Sequence, residues 1–362
     1  MSTTMAGMKA FGFLSFGHYA LSNQAGPDAA QVLQDGLAIA QAADEIGVNN
    51  ASFRVHHFAP QGASPMPLLG AIAGSTKHIE VGTGVIDMRY ENPLYLAEEA
   101  AALDLLSGGR VALGVSRGSP EPADKGWEAF GYTAEADNGA DMARAKFESF
   151  LAAIDGYGVA AAAPAEKQYP RMYRAGTPLP VFPHAPGLRK NIFWGSGTNA
   201  SAEQAAVDGV NLMSSTLVSE ADGRTLGEVQ AEQIEVYRKA WKKAGHDWTP
   251  RVSVSRSIFP IVTDRDRQLF ATSATGKDQI GSLGEGTNVT FGRSYAAEPD
   301  TLIEQLKADP AIAAADTLLL TIPNQMGVDV NVSILQNFAE HVAPALGWIP
   351  APEGPVTGYP ID

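Results

Sequence analysis

Apolar and polar positions along this chain switch repeatedly between a two-residue and a helical period, and the switches outline its elements. Residues 9–16 (KAFGFLSF) form an apolar, aromatic run that predicts a buried first strand. Residues 27–46 carry the helical period and stop at Gly47. Strands follow over 50–55, 78–83 and 111–115, with helices over 67–76 and 93–107. The segment 93–107 (PLYLAEEAAALDLLS) is the clearest helix, with Pro93 at its start, two glutamates in its early turns and Gly108-Gly109 as a stop. Further on, the pattern predicts helices over 141–154, 201–208, 226–244, 300–308 and 330–346. It predicts strands over 191–194, 210–213, 252–262 and 317–322.

Two stretches fall outside this rhythm. Residues 157–189 are rich in alanine and proline and read as an insertion. Residues 268–294 are polar and glycine-rich with little periodicity, which in a loop of that length suggests a mobile lid. Eight strands, nearly all followed by a helix, predict an α/β fold. The expectation is one (β/α)8 TIM barrel with insertions over residues 1–362, residues 1–7 being a disordered leader. A doubly wound open sheet is the alternative.

Composition narrows the function classes. The chain has 362 residues and no cysteine, which excludes disulfides, thiolate metal sites and a cysteine nucleophile. A formal net charge of −14 argues against nucleic acid as a partner. No run of eighteen apolar residues suggests a membrane span, and the N-terminal residues do not resemble a secretory signal, so a cytoplasmic protein is expected. No metal-binding spacing is present, so no metal site is expected.

In a barrel, residues just after the strand C-termini face the active site, and four such segments carry unusual chemistry. The first is Arg54-Val55-His56-His57-Phe58, where a histidine can act as acid, base or donor, or be a structural core residue. The second is Gly82-Thr83-Gly84-Val85, whose glycines let the backbone approach a flat ligand or tolerate a non-proline cis bond. The third is Gly114 to Pro120 (GVSRGSP), in which Arg117 would clamp a phosphate or make an ordinary surface ion pair. The fourth is Trp194 to Glu203 (WGSGTNASAE). Gly195, Gly197, Thr198, Asn199 and Ser201 at a helix start exceed what a single cap requires and suit a mononucleotide phosphate. The spacing fits neither a Walker loop nor a dinucleotide fingerprint.

These segments, in this order, resemble the bacterial luciferase-like monooxygenases. The strongest stretch is residues 81–120, VGTGVIDMRYENPLYLAEEAAALDLLSGGRVALGVSRGSP, supported by HHF at 56–58 and GSGTNASAEQAA at 195–206. The resemblance implies a flavin-dependent monooxygenase that uses reduced FMN and O2 on a small aldehyde- or ketone-like substrate through a C4a-peroxyflavin. Its reduced flavin would come from a separate flavin reductase. A deazaflavin-dependent hydride-transfer enzyme and a non-catalytic flavin-binding protein are alternatives on the same barrel.

Residue by residue, the resemblance makes His56 the catalytic acid/base. It puts Thr83, Gly84 and Val85 under the isoalloxazine ring, with Gly84–Val85 as a cis peptide. Arg117, Thr198 and Ser201 become phosphate contacts, with Gly197 and Asn199 beside them, and Ser214 approaches the ring. Arg293 is a candidate substrate or lid residue in the 268–294 loop. Val55 departs from the pattern, since many members have an acidic residue there, and Ser116 stands where bacterial luciferase has a reactive cysteine. A homodimer through the small-residue helices 67–76 and 93–107 is expected.

Overall fold

The computed structural model describes residues 10–118, 121–218, 223–282, 288–348 and 350. The leader expected over 1–7 lies outside the described residues. Eight strands form the centre: β1 (Ala10–Ser15), β2 (Asn50–Phe53), β3 (Glu80–Asp87), β4 (Val111–Ser116), β5 (Ile192–Ser196), β6 (Asn211–Ser214), β7 (Val252–Pro260) and β8 (Thr317–Ile322). Each pairs in parallel with its neighbours in chain order. β8 returns to β1, Ala10 facing Thr317, and β7 pairs with β6, Val252 facing Leu212. The sheet therefore closes into a barrel, and the open-sheet alternative is ruled out.

Helices follow the strands as the periodicity predicted. They are α1 (Ala29–Ile46), α2 (Met66–Ser75), α3 (Pro93–Ser107), α4 (Ala140–Ile154), α5 (Asn199–Asp208) and α6 (Leu226–Ala244). After β7 come α7 (Asp264–Phe270), α8 (Pro299–Lys307) and α9 (Pro310–Ala314), and after β8 comes α10 (Gly327–His341). Their ends are set by side chains that satisfy the unpaired backbone groups of a helix terminus. Asn92 caps α3, and Gly108, at φ 71°, ends it in the left-handed region. Thr225 and Glu228 form a reciprocal capping box on α6. Among the described residues, no helix is long and apolar enough to cross a membrane.

Alternation along each strand divides the core in two. Outward residues such as Phe13, Phe53, Val81 and Val254 meet the helices in one continuous apolar layer. Inward residues Leu14, Ala112, Phe193, Met213 and Leu319, from five different strands, fill the barrel itself. Where β3 and β4 approach most closely the sequence has glycine. A Cβ at Gly82 would stand 2.1 Å from the Ala112 carbonyl oxygen.

The N-terminal end of the barrel is closed by charge. Buried Arg251 donates from Nη1 to Glu80 Oε1 at 2.7 Å, and its guanidinium lies 5.0 Å over the Phe193 ring. Around this pair, Asn211 Oδ1 accepts from Arg251 N, and Asp316 Oδ2 accepts from Val252 N.

The two aperiodic stretches differ from expectation in one case. Residues 157–189 form an exposed excursion with one short antiparallel pairing, Ala160–Ala161 against Pro178–Leu179. Within 268–294, the described residues carry strand pairings that the composition does not announce. They begin in the end of α7, Gln279–Ser282 pairs antiparallel with Asn288–Phe291, and the latter pairs with Leu217–Val218 beyond β6. Ser294–Ala297 then adds a parallel strand beside the end of β7. Four-residue strands with distant partners leave too little alternation to read locally.

Candidate functional site

The strand C-termini bring most of the sequence-selected residues to one end of the barrel. β3 carries an irregularity there: Thr83 faces Leu113, but the next pair is Ile86 with Val115, so Gly84 and Val85 occupy a bulge. The Gly84–Val85 peptide is cis, as the resemblance implied. Thr83 is fully buried, and its hydroxyl donates to the Gly114 carbonyl at 2.7 Å, so the side chain ties β3 to β4. Val85 reaches β5, where a Cβ added at Gly195 would lie 3.1 Å from Val85 Cγ1 and 3.3 Å from Ser116 Cβ. A glycine at 195 lets these three strand ends meet.

Beside it lies the helix start. Val115 pairs with Trp194, so exposed Arg117 leaves β4 next to the turn after β5. Thr198 is the N-cap of α5, its Oγ1 accepting from Ser201 N, and Ser201 Oγ accepts from Trp194 Nε1 at 2.8 Å. The N–H groups of Asn199 and Ala200 have no partner within the helix, as first-turn geometry requires. Asn199 Oδ1 is buried without a hydrogen-bond partner. Two outward N–H groups, two hydroxyls, the positive end of α5 and Arg117 suit a phosphate, and the orphaned Asn199 amide suits a polyol beside it. The residues present therefore fit the phosphate and sugar-alcohol parts of FMN.

Ser214 faces Ser196 across β5 and β6. Its hydroxyl is engaged, donating to Gln233 Oε1 of α6 at 2.7 Å. Arg293 is not brought to these strand ends by any contact. Its guanidinium lies 4.5 Å over the Tyr295 ring, and its backbone N–H donates to Asp278.

The His-His pair divides into two environments. His57 stacks on Tyr90 at 4.1 Å, edge-on to Phe130, and burial with the nearby Arg89 charge lowers its pKa. It is a packed ring, stacked between strand-end aromatics. His56 instead puts Nε2 3.3 Å from Glu121 Oε2, and the two side chains are 13 % and 3 % exposed. Glu121 follows Gly118 and the residues 119–120 that lie outside the described set. Burial, reinforced by the charge of Asp87, pushes its carboxyl up to about 7, against the pull of Arg89, the His57 backbone N–H and Arg54.

Around this pair sits an ion pair that the sequence reading missed. Arg89 grips Asp87 through Nε and Nη2, the shortest contact being 2.6 Å, and Arg89 lies over Trp127. Gly118 is required beside it: at φ +90°, an added Cβ would fall 1.9 Å from Asp87 Oδ2. Arg54 is held over the Phe16 ring, itself stacked on His18. The available signal for Asp87 and Arg89 was two opposite charges, two residues apart, at the end of a buried strand. No local signal marks Glu121. A cavity of about 290 Å³ also opens between the starts of α1 and α2. Its walls include Ser15 and Phe53, the last residues of β1 and β2, with Arg54 and Val55, so it adjoins the strand ends on the side of the His-His segment.

The fold agrees with the comparisons. The chain belongs to the luciferase-like monooxygenase family, whose model matches residues 10–330. It is 33 % identical over 91 residues to the oxygenase component of the flavin-dependent trigonelline monooxygenase of Acinetobacter baylyi, 25 % of each protein being covered. It is 34 % identical over 112 residues to an F420-dependent glucose-6-phosphate dehydrogenase of Amycolatopsis mediterranei, covering 29 % of this chain and 32 % of that one. The chain thus matches only about a quarter to a third of the length of its curated relatives. Its fold resembles monooxygenase RslO1 of Streptomyces bottropensis, with a TM-score of 0.69, 20 % identity and coverage of 92 % and 99 % of the two chains. It also resembles the oxygenating constituent of 3,6-diketocamphane monooxygenase of Pseudomonas putida in complex with FMN, with a TM-score of 0.65, 18 % identity and coverage of 93 % and 98 %.

Proposed function

We propose that this chain is the oxygenase component of a two-component flavin monooxygenase. It takes reduced FMN from a separate reductase and, with O2, oxygenates a small aldehyde- or ketone-like substrate. The observation that carries this reading is the meeting, at one barrel end, of an anion-ready helix start with a buried histidine–carboxylate pair. The trigonelline relative is named as a flavin-dependent oxygenase component, and the diketocamphane enzyme holds FMN, which supports the same reading.

Reduced FMN supplies the electrons that activate O2. The chain's own residues do the rest. Arg117, Thr198, Ser201 and the α5 N-terminus bind the phosphate, with Gly195, Gly197 and Asn199 shaping the turn. The backbone of Thr83, Gly84 and Val85 supports the ring, Ser214 stands at its edge, and the inward layer of Leu14, Phe193 and Met213 keeps water from rising through the barrel. His56 holds or releases a proton at the reacting oxygen of the substrate. The protein acts in the cytoplasm as a homodimer. α3 exposes Tyr95, Leu105 and Leu106, a surface that a second copy would cover.

The F420-dependent relative favours a second reading, hydride transfer with a deazaflavin and no oxygen. Titration of the purified protein with reduced FMN and with reduced F420, followed by oxygen consumption, separates the two. Micromolar or tighter binding of reduced FMN and substrate-dependent oxygen uptake are expected. Binding of reduced F420 alone would replace the monooxygenase with the hydride-transfer enzyme.

A further inference from the structure

Glu121 has no place in the sequence pattern that selected His56, yet it is the side chain set against it. The two come from different strand ends, β2 and β4, and both are buried, so solvent and salt screen their interaction little. Glu121 is held from a second direction by the backbone N–H of His57. The other charged or titratable groups facing the pair are Arg54 and His57 beyond β2, and Asp87, Arg89 and Tyr90 beyond β3. Asp87 is bound to Arg89, yet its charge still reaches both His56 and Glu121. Arg54 stacks on Phe16. His57 is packed on Tyr90.

Val55 completes the picture. It is 4 % exposed, and its side chain packs in the apolar layer outside the barrel wall. The residue before His56 is therefore apolar and turned away from it, and a carboxylate approaches the histidine from another loop.

We propose that Glu121 is the positioning residue for His56, its carboxylate, set 3.3 Å from the imidazole Nε2, fixing the orientation of the ring by close electrostatic contact. This deepens the proposed acid/base use of His56 and rests on it. The pair changes no atoms or electrons in the reaction. It sets the orientation of the ring and the pH at which His56 gives up its proton. Because the carboxyl of Glu121 is pushed up to about 7 by burial and the Asp87 charge, its own charge, and with it its hold on the ring, changes through neutrality.

The test is an NMR titration of histidine-labelled protein, full chain, in wild type, Glu121→Gln and Glu121→Asp. Glu121→Gln is expected to lower the His56 titration midpoint by about one unit, the scale of losing a nearby opposite charge. Glu121→Asp should restore part of the shift, and the acid limb of the kcat profile should move with the NMR midpoint. Reduced FMN affinity should stay within twofold. In wild type at pH 9, with Glu121 ionised, the neutral ring should carry its proton on Nε2. That readout stands even if the variants do not fold. An unmoved His56 midpoint in folded Glu121→Gln, or a proton on Nδ1 at pH 9, would overturn the proposal. The underlying reading fails separately: normal turnover in His56→Ala would end the acid/base role while leaving the titration shift intact.

Discussion

The two ends of this barrel solve opposite problems with the same residue types. At the N-terminal end, Arg251 and Glu80 are buried against each other, and their neighbours Asn211 and Asp316 bond to the backbone of β7. At the C-terminal end, Asp87 and Arg89 make an equally buried pair, but His56, Glu121, Arg117 and the start of α5 are gathered around it. Both ends keep a polar atom without a hydrogen-bond partner, Arg251 Nη2 at the floor and Asn199 Oδ1 at the mouth. A buried pair is therefore weak evidence of function by itself. What marks the mouth is the company its pair keeps: a helix start, an exposed arginine and a histidine beside a carboxylate.

This contrast can be broken by substitution. Glu80→Ala leaves Arg251 charged in the floor and should cost about 3–5 kcal/mol in chemical denaturation, the usual consequence of removing one partner from a buried pair. A loss below about 1 kcal/mol would mean that the floor is not the structural end. His56→Ala should slow turnover by about a hundredfold, the low end for a general acid or base, with the melting temperature and reduced FMN affinity little changed. Arg117→Ala should weaken reduced FMN binding by about 1.5–3 kcal/mol with no loss of stability, because an exposed arginine at a strand end has little to do with the core. An unchanged dissociation constant would remove it from the phosphate site.

The smallest effect is a pH dependence that belongs to the mouth side. Burial pushes Glu121 and Glu91 up to about 7 from an ordinary 4.5, Glu91 being raised further by the charge of Glu99. Between pH 4.5 and 7 the folded state then holds more protons than the unfolded chain. The contribution of these groups to stability falls as pH rises through that window. Melting curves at pH 5 and pH 8 should show a smaller drop in Glu91→Gln and Glu121→Gln than in wild type. An equal drop in all three would place the titrating groups elsewhere.

The barrel was legible because each strand is a short apolar run ended by glycine or polar residues, and each helix carries a cap or stop. Thr198, Pro93 and Gly108 were readable as terminators from local chemistry alone. The phosphate turn was legible for the same reason, since its residues are consecutive. Proximity across the fold was not. His56 and Glu121 come from different strand ends, and only barrel closure and strand register bring them together. The strand pairings within 268–294 were not legible for a related reason: Asn288–Phe291 pairs with Leu217–Val218, and nothing in either short segment announces the other. The two adjacent histidines illustrate the limit in miniature, because which one stacks on Tyr90 depends on a ring from the next strand.

That same pairing has a consequence for engineering. The antiparallel ladder joins the segment after β6 to the segment after β7, so the two excursions are one module with two attachment points. Exchanging either one alone with another barrel would leave an edge without its partner. Chimeras that trade both excursions together, leaving α6 and β7 in place, are the ones expected to retain folding yields close to the parent. Yield and melting temperature across single and paired exchanges would reveal whether evolution, too, must have inherited the two segments as a unit.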